Sequence, residues 1–186
     1  MPGGMGSSGQ PKSSYCGDQM RAHEDFAAIR PLEAGDATAI WRLIEVTPEL
    51  DKNSHYLYLL LGTHFGDTCV VAERQGQIVG VVTGFRPPTH PQRLFVWQLA
   101  VHPESRGQGI ARRLVECLLD MQSMPVERLD VTIAPDNAAS QAVFRSIARR
   151  RRWTIESAPF LCGTDVPSEA GPHDDEWLFV LSPSST

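Results

Sequence analysis

No segment of this chain approaches the roughly 18 uninterrupted apolar residues of a membrane-spanning helix, so no crossing is expected. The first residues carry no apolar stretch of the signal-peptide kind, and export is not expected either. Cysteine is sparse. Cys16, Cys69, Cys117 and Cys162 are scattered, with no Cys-x-x-Cys pair and no histidine at zinc-like spacing, so no metal site is expected. Cys69 and Cys117 fall within apolar patterns and read as packed thiols in a reducing, cytoplasmic compartment. Positive charge is in deficit: 17 Lys and Arg stand against 22 Asp and Glu, a net charge of −5 that speaks against a nucleic-acid surface. Internal repeats are lacking as well.

What is present suits one globular domain with a core of its own: 186 residues, 41% hydrophobic and 21% charged. Residues 1–26 are rich in Gly, Ser, Pro and Gln and read as a disordered leader; residues 182–186 read as a flexible tail. The folded domain is expected over residues 27–181. Residues 27–31 form a short strand. Asp36 is placed to cap a helix running to about Thr47, and Asn53 or Ser54 to cap a second one closing near Gly66. Residues 68–74 and 77–85 flank Gln75-Gly76, a hairpin turn signal. A strand over 94–101, a helix over 109–121, a strand over 128–134 and a helix from Asn137 follow, then strands over 153–157 and 177–181. The order β-α-α-β-β-β-α-β-α-β-β implies an α/β chain of the α+β kind. Its central mixed, mostly antiparallel sheet contains one βαβ crossover and is flanked by helices.

The most informative segment is LFVWQLAVHPESRGQGIARRL, residues 94–114. A strand enters a glycine-bearing turn, and a helix leaves it with no bulky side chain in its first turn. The first N–H groups of a helix lack internal partners and carry roughly half a positive charge, so this arrangement suits a phosphate. A Walker loop would need Lys-Ser or Lys-Thr where Ile110-Ala111 stands, and a Rossmann turn would need a third glycine beside Gly107 and Gly109. The hexapeptide Arg106-Gly107-Gln108-Gly109-Ile110-Ala111 instead fits Arg-x-x-Gly-x-Ala. That pattern resembles the pyrophosphate-binding signature of the GCN5-related N-acetyltransferases (GNAT), and the element order agrees with their fold. The resemblance implies acetyl-coenzyme A (acetyl-CoA) as co-substrate.

It also implies roles for individual residues. Leu99, Ala100 and Val101 would line the cofactor through main-chain groups, with the Val101 N–H as an oxyanion donor. Residues 106–111 would hold the pyrophosphate. The segment NAASQAVF, residues 137–144, is similar to the helix that flanks acetyl-CoA in the family, with Asn137 and Ser140 facing it; Asn137 is equally a good helix cap. In many relatives the last aromatic of that motif is a tyrosine that protonates the leaving thiolate. Phe144 has no proton to give.

The acceptor has to be read from pieces outside the cofactor motif. The segments LDKNSHYLYLL (50–60), His64-Phe65, FVWQ (95–98) and PHDDE (172–176) resemble the L-2,4-diaminobutyrate acetyltransferases, the acetylating enzymes of ectoine synthesis. The resemblance spans residues 29–181. Diaminobutyrate carries two ammonium groups and a carboxylate, so its pocket calls for carboxylates and an aromatic wall. The candidates are Asp51, Tyr56, Trp97, His173 and Glu176, with Tyr58 ranked below Tyr56. Asp51 could instead cap a helix. Glu176 could belong to a solvated acidic run with Asp174 and Asp175, and Trp97 could be a half-buried strand residue. Glu176 and Asp51 are the candidate proton acceptors, His173 a further one, and Tyr56 the group that orients the amine or protonates the thiolate. Direct transfer in a ternary complex is expected, in a homodimer such as relatives form. Two rivals stay open: acetylation of another small amine or amino acid, and a sensor that binds acetyl-CoA without turnover.

Overall fold

Capping chemistry and alternation account for most elements of the computed structural model, which describes residues 27–165 and 174–184. β1 (Ala28–Pro31) passes through a 3-10 turn (Ala34–Asp36) into α1 (Ala37–Glu45), and α2 (His55–His64) follows. Of the two candidate caps of α2 the chain uses Ser54, whose side chain accepts from the Leu57 N–H at 3.3 Å. β2 (Cys69–Arg74) and β3 (Gln77–Phe85) form the expected hairpin. Gln75 and Gly76 both have positive φ, 51° and 75°, as a two-residue turn matched to strand twist requires. β4 (Arg93–Val101), α3 (Ile110–Asp120), β5 (Arg128–Ile133) and α4 (Ala138–Arg151) come next, and β6 (Trp153–Leu161) and β7 (Glu176–Pro183) close the chain.

The seven strands form one sheet in the order β1-β2-β3-β4-β5-β7-β6. Only β4 and β5 run parallel, as the α3 crossover between them demands. β7 inserts between β5 and β6, and both last strands extend beyond the expected ranges. Residues 157–160 are exposed and show no apolar alternation. They are strand because their backbone pairs with β7, not because of their side chains. β7 likewise reaches Pro183, into the expected tail, and the Ser184 hydroxyl donates to the Arg152 carbonyl at 2.7 Å. The expected leader, residues 1–26, lies outside the described residues.

Each sheet face carries a core. On one, Ile110, Leu114 and Leu118 of α3 and Phe144 and Ile147 of α4 pack on Val82, Leu94, Val96, Leu129 and Phe179. On the other, Ile40, Leu43 and Ile44 of α1 and Tyr58 and Leu61 of α2 pack on Cys69, Val71, Val81 and Ala100. Leu94 and Val96 thus face one core and Ala100 the other, although an even spacing should leave all three on one side. The register explains the switch: Val96 pairs with Gly84 and Gln98 with Thr83, so Trp97 is an extra, bulged residue.

Asp36 departs from its expected role. It stands at the N-cap of α1 but makes no capping bond there. Its carboxylate accepts from Arg30 at 2.7 and 2.8 Å and from the Glu33 N–H at 2.9 Å, and charge-assisted bonds from β1 outcompete the helix N–H groups. The Arg30 guanidinium holds the Asp36 carboxyl below its ordinary pKa. A carboxyl depressed in this way adds stability above its unfolded pKa of about 3.9, and loses it as pH falls through the folded value. Asp36→Asn should therefore cost about 1–2 kcal/mol in urea unfolding at pH 7, with the difference from wild type shrinking below about pH 4.

Candidate active site

The site begins where two strands part. β4 and β5 pair only through residues 93–96 and 128–131; past Val96, β4 bonds β3 alone, and past Val131, β5 bonds β7 alone. The His102 N–H donates to the Val79 carbonyl at 2.9 Å, and the antiparallel alternation can be counted back from there. Ala100 turns its main-chain groups toward Val81 of β3, whereas Leu99 and Val101 turn theirs into the gap. Arg106 Nε donates to the Val101 carbonyl at 3.2 Å from that side. Ala100 therefore leaves the expected cofactor set: it is buried on the α1/α2 side with its backbone committed to β3.

Two cavities open along this gap, of about 370 and 810 Å³. Both are walled by Glu49, Leu50, Leu99, Asn137 and Ser140, so they adjoin as two parts of one channel along the gap. Val101, Arg106, Gly107, Gly109, Ile110 and Ala111 line the smaller part. The chain turns there because Gly107 and Gly109 have φ of 78° and 74°, a region costly for any residue with a Cβ, and α3 starts directly after. Gly109 and the first residues of α3, Ile110 to Arg112, line the cavity, and their N–H groups have no helix partners. Gln108 is absent from the wall; its side chain accepts from Arg74. The Arg106 guanidinium holds Glu49 at 3.0 and 3.2 Å and keeps that carboxyl below its ordinary pKa. Both partners are about half exposed, so a diphosphate can displace Glu49 at little cost. Positive-φ glycines, orphan N–H groups and a cation in a weak pair together fit a pyrophosphate.

The larger part has the opposite electrostatics. Glu49, Asp51, Asp174 and Glu176 line it, and no Lys, Arg or His does so among the described residues. Trp97, 41% exposed at the bulge, forms part of the wall. Asp51, Trp97 and Glu176 are thus brought together from the α1–α2 loop, β4 and β7. Tyr56 is not: it stands 64% exposed on α2, outside both cavity walls. Tyr58, ranked below it from sequence, is fully buried, and its hydroxyl donates to Gln98 Oε1 at 3.0 Å. Burial raises the Tyr58 pKa, so the hydroxyl stays protonated. His173 lies outside the described residues.

Asn137 caps α4, its side chain accepting from the Ser140 N–H at 3.0 Å, while also lining both cavities. Phe144 is buried behind the larger cavity, so no tyrosine-like acid acts from that position. Cys69 is fully buried and its thiol pushed up to about 11, which removes it as a nucleophile.

Sequence reasoning missed Gln98 and Thr83. Gln98 lines the larger cavity though only 5% exposed, and its amide donates to the Asp51 carbonyl at 3.0 Å. Its backbone N–H, displaced by the bulge, donates to Thr83 Oγ1 at 3.2 Å. The available signal was a glutamine within the apolar run LFVWQLAV.

Residues 32–148 match the family described as "Acetyltransferase (GNAT) family". The chain is 39% identical over 160 residues to the L-2,4-diaminobutyric acid acetyltransferase of Wolinella succinogenes, covering 84% of this chain and 92% of that one. It is 42% identical over 158 residues to the enzyme of the same name from Nocardia farcinica, covering 84% and 80%. Among solved structures it is similar to the diaminobutyrate acetyltransferase of Paenibacillus lautus in complex with L-2,4-diaminobutyric acid and coenzyme A. That likeness has a TM-score of 0.81 and 39% identity, and covers 84% of this chain and 95% of that one. The ribosomal-protein-S18-alanine N-acetyltransferase of Escherichia coli, 18% identical with a TM-score of 0.59, shares the fold; the alignment covers 86% of this chain and 96% of that one.

The bulge gives a stability test. Thr83→Val keeps the shape but strands the buried Gln98 N–H, and should lower unfolding free energy by about 1–3 kcal/mol in denaturant titration.

Proposed function

The chain belongs to the acetyltransferase (GNAT) family, alongside the L-2,4-diaminobutyric acid acetyltransferases, and from that premise we propose that it carries the acetyl group of acetyl-CoA to the side-chain nitrogen of L-2,4-diaminobutyrate, the acetylation of ectoine synthesis. The observation that carries the reading is the channel itself. A phosphate-binding turn lies at one end, and the other end has only acidic charged side chains among its described residues. A doubly cationic amine and a polyanionic cofactor enter such a channel from opposite ends.

In this reading the N–H groups of residues 109–112 and the Arg106 guanidinium hold the pyrophosphate. Leu99 lies where the two cavities join, and Val101 lies at the phosphate end. The thioester carbonyl is therefore assigned to the Leu99 N–H and the pantetheine arm to Val101, two residues back along β4 from the assignment that resemblance implied. A donor aimed at the developing oxyanion contributes about 3 kcal/mol in acyl transfer.

Asp51 and Glu176 hold the ammonium groups and Trp97 walls them. An alkyl ammonium has a pKa of about 10 and no lone pair, so one proton must leave to solvent before the nitrogen attacks. Bond formation to the acyl carbon then makes the nitrogen cationic and far more acidic, and a carboxylate that is a poor base toward the free ammonium accepts this second proton. Glu176 is assigned this step, directly or through one water. Phe144 and the internally bonded Tyr58 offer no acid. The thiolate can leave without one, since a thiol's ordinary pKa is about 8.5. Tyr56, outside both walls, is given no step. A cytoplasmic location and a homodimer complete the proposal.

Purified protein supplied with acetyl-CoA should release thiol with diaminobutyrate far faster than with ornithine or lysine, because a displaced amine loses its proximity advantage. NMR of the product should show acetylation at the side-chain nitrogen. No thiol release with any of the three would leave a protein that binds the cofactor without turnover. Glu176→Gln should lower kcat about 100-fold or more while acetyl-CoA binding, read by calorimetry, is retained; near-normal turnover would remove Glu176 as base.

A further inference from the structure

The amine end of the channel depends on a loop. Residues 46–54 are neither helix nor strand, yet they carry Asp51. Two ion pairs tie this loop to its surroundings, Lys52 to Glu45 at 3.3 Å and Arg106 to Glu49 at 3.0 Å, and both are largely exposed. Pairs of that kind fix little in water and less in salt. The tie through Gln98 differs. Its amide is almost fully buried, and it donates to the main-chain carbonyl of Asp51 itself.

An amide can turn over and exchange its oxygen for its nitrogen, but here one orientation is selected. The buried Tyr58 hydroxyl donates to Gln98 Oε1, which leaves the NH₂ group turned to the Asp51 carbonyl. Reversal would set Oε1 against the Asp51 carbonyl, acceptor against acceptor, whereas the Tyr58 hydroxyl can donate to or accept from the amide. The Gln98 backbone is fixed as well, through Thr83 at the bulge that presents Trp97. A single strand position therefore sets its neighbour Trp97 from the main chain and Asp51 from the side chain.

We propose that Gln98 is a positioning residue for the amine: anchored on the buried Tyr58 hydroxyl, it holds the Asp51 main chain so that the Asp51 carboxylate meets the substrate ammonium. This rests on the reading of Asp51 given above and acts only through it.

The test is a set of kinetic cycles in the full-length protein. Gln98→Met keeps the volume and removes both hydrogen bonds. It should raise the KM for diaminobutyrate about 10-fold, the size of one lost hydrogen bond, while the KM for acetyl-CoA stays within about 2-fold. Asp51→Asn alone should raise the amine KM too. In the Asp51→Asn background Gln98→Met should add less than about 2-fold, because residues acting through one another are not additive. A merely structural role would move both KM values or multiply with Asp51→Asn. Either result overturns the proposal, as does an unchanged amine KM in Gln98→Met. Should Gln98→Met not fold, Gln98→Leu decides by the same cycle, with the same expected rise in amine KM alone. If Asp51→Asn leaves the amine KM unchanged, the role of Asp51 and this inference fall together. If Asp51→Asn matters but Gln98 does not couple to it, only this inference falls.

Discussion

One extra residue in one strand sets the functional geometry. Trp97 has no partner opposite it, and from that point the side chains of β4 change faces and its pairing with β5 ends. A parallel ladder carried to Val101 would consume the Leu99 and Val101 main-chain groups and close the channel. The bulge would itself leave a buried N–H unpaired at Gln98, and the Thr83 hydroxyl satisfies it. Opening a sheet usually exposes backbone to no purpose; here the exposed groups face the place where acetyl transfer is proposed.

The channel divides its electrostatics by element type. The end proposed for the phosphates is made of main chain, glycine geometry and a helix terminus, with Arg106 and Arg112 as the cationic side chains on its wall. The end proposed for the amine carries carboxylates from two separate chain segments, Glu49 and Asp51 before α2 and Asp174 and Glu176 at the start of β7. Glu49 borders both parts, paired with Arg106 at one and joining the acidic wall of the other. The two halves are thus linked by a side chain as well as by shared space.

Some of this was legible in the sequence and some was not, for physical reasons. The phosphate turn was legible because left-handed backbone needs glycine, and Gly107 and Gly109 announce it. The element order was legible because α1, α3 and the central strands are amphipathic or apolar at their own periods. The bulge was not, since LFVWQLAV reads as one apolar strand and a register shift changes no residue type. Residues 157–160 were missed because an edge strand can be held by backbone pairing alone. Tyr56 and Tyr58 sit two apart on one helix, and only packing decides that the first faces solvent and the second meets Gln98. Asp36 looked like a helix cap because nothing local reveals that Arg30 lies beside it.

The Arg106–Glu49 pair has a further consequence for the proposed cofactor site. A bare arginine that binds a diphosphate loses affinity steadily as counterions screen it. Under the proposed binding mode, cofactor binding is an exchange, with one arginine–anion pair broken and another formed. Screening weakens both sides of such an exchange, so much of its effect cancels. In that mode Glu49 is an internal counterion that makes the grip of Arg106 less sensitive to ionic strength.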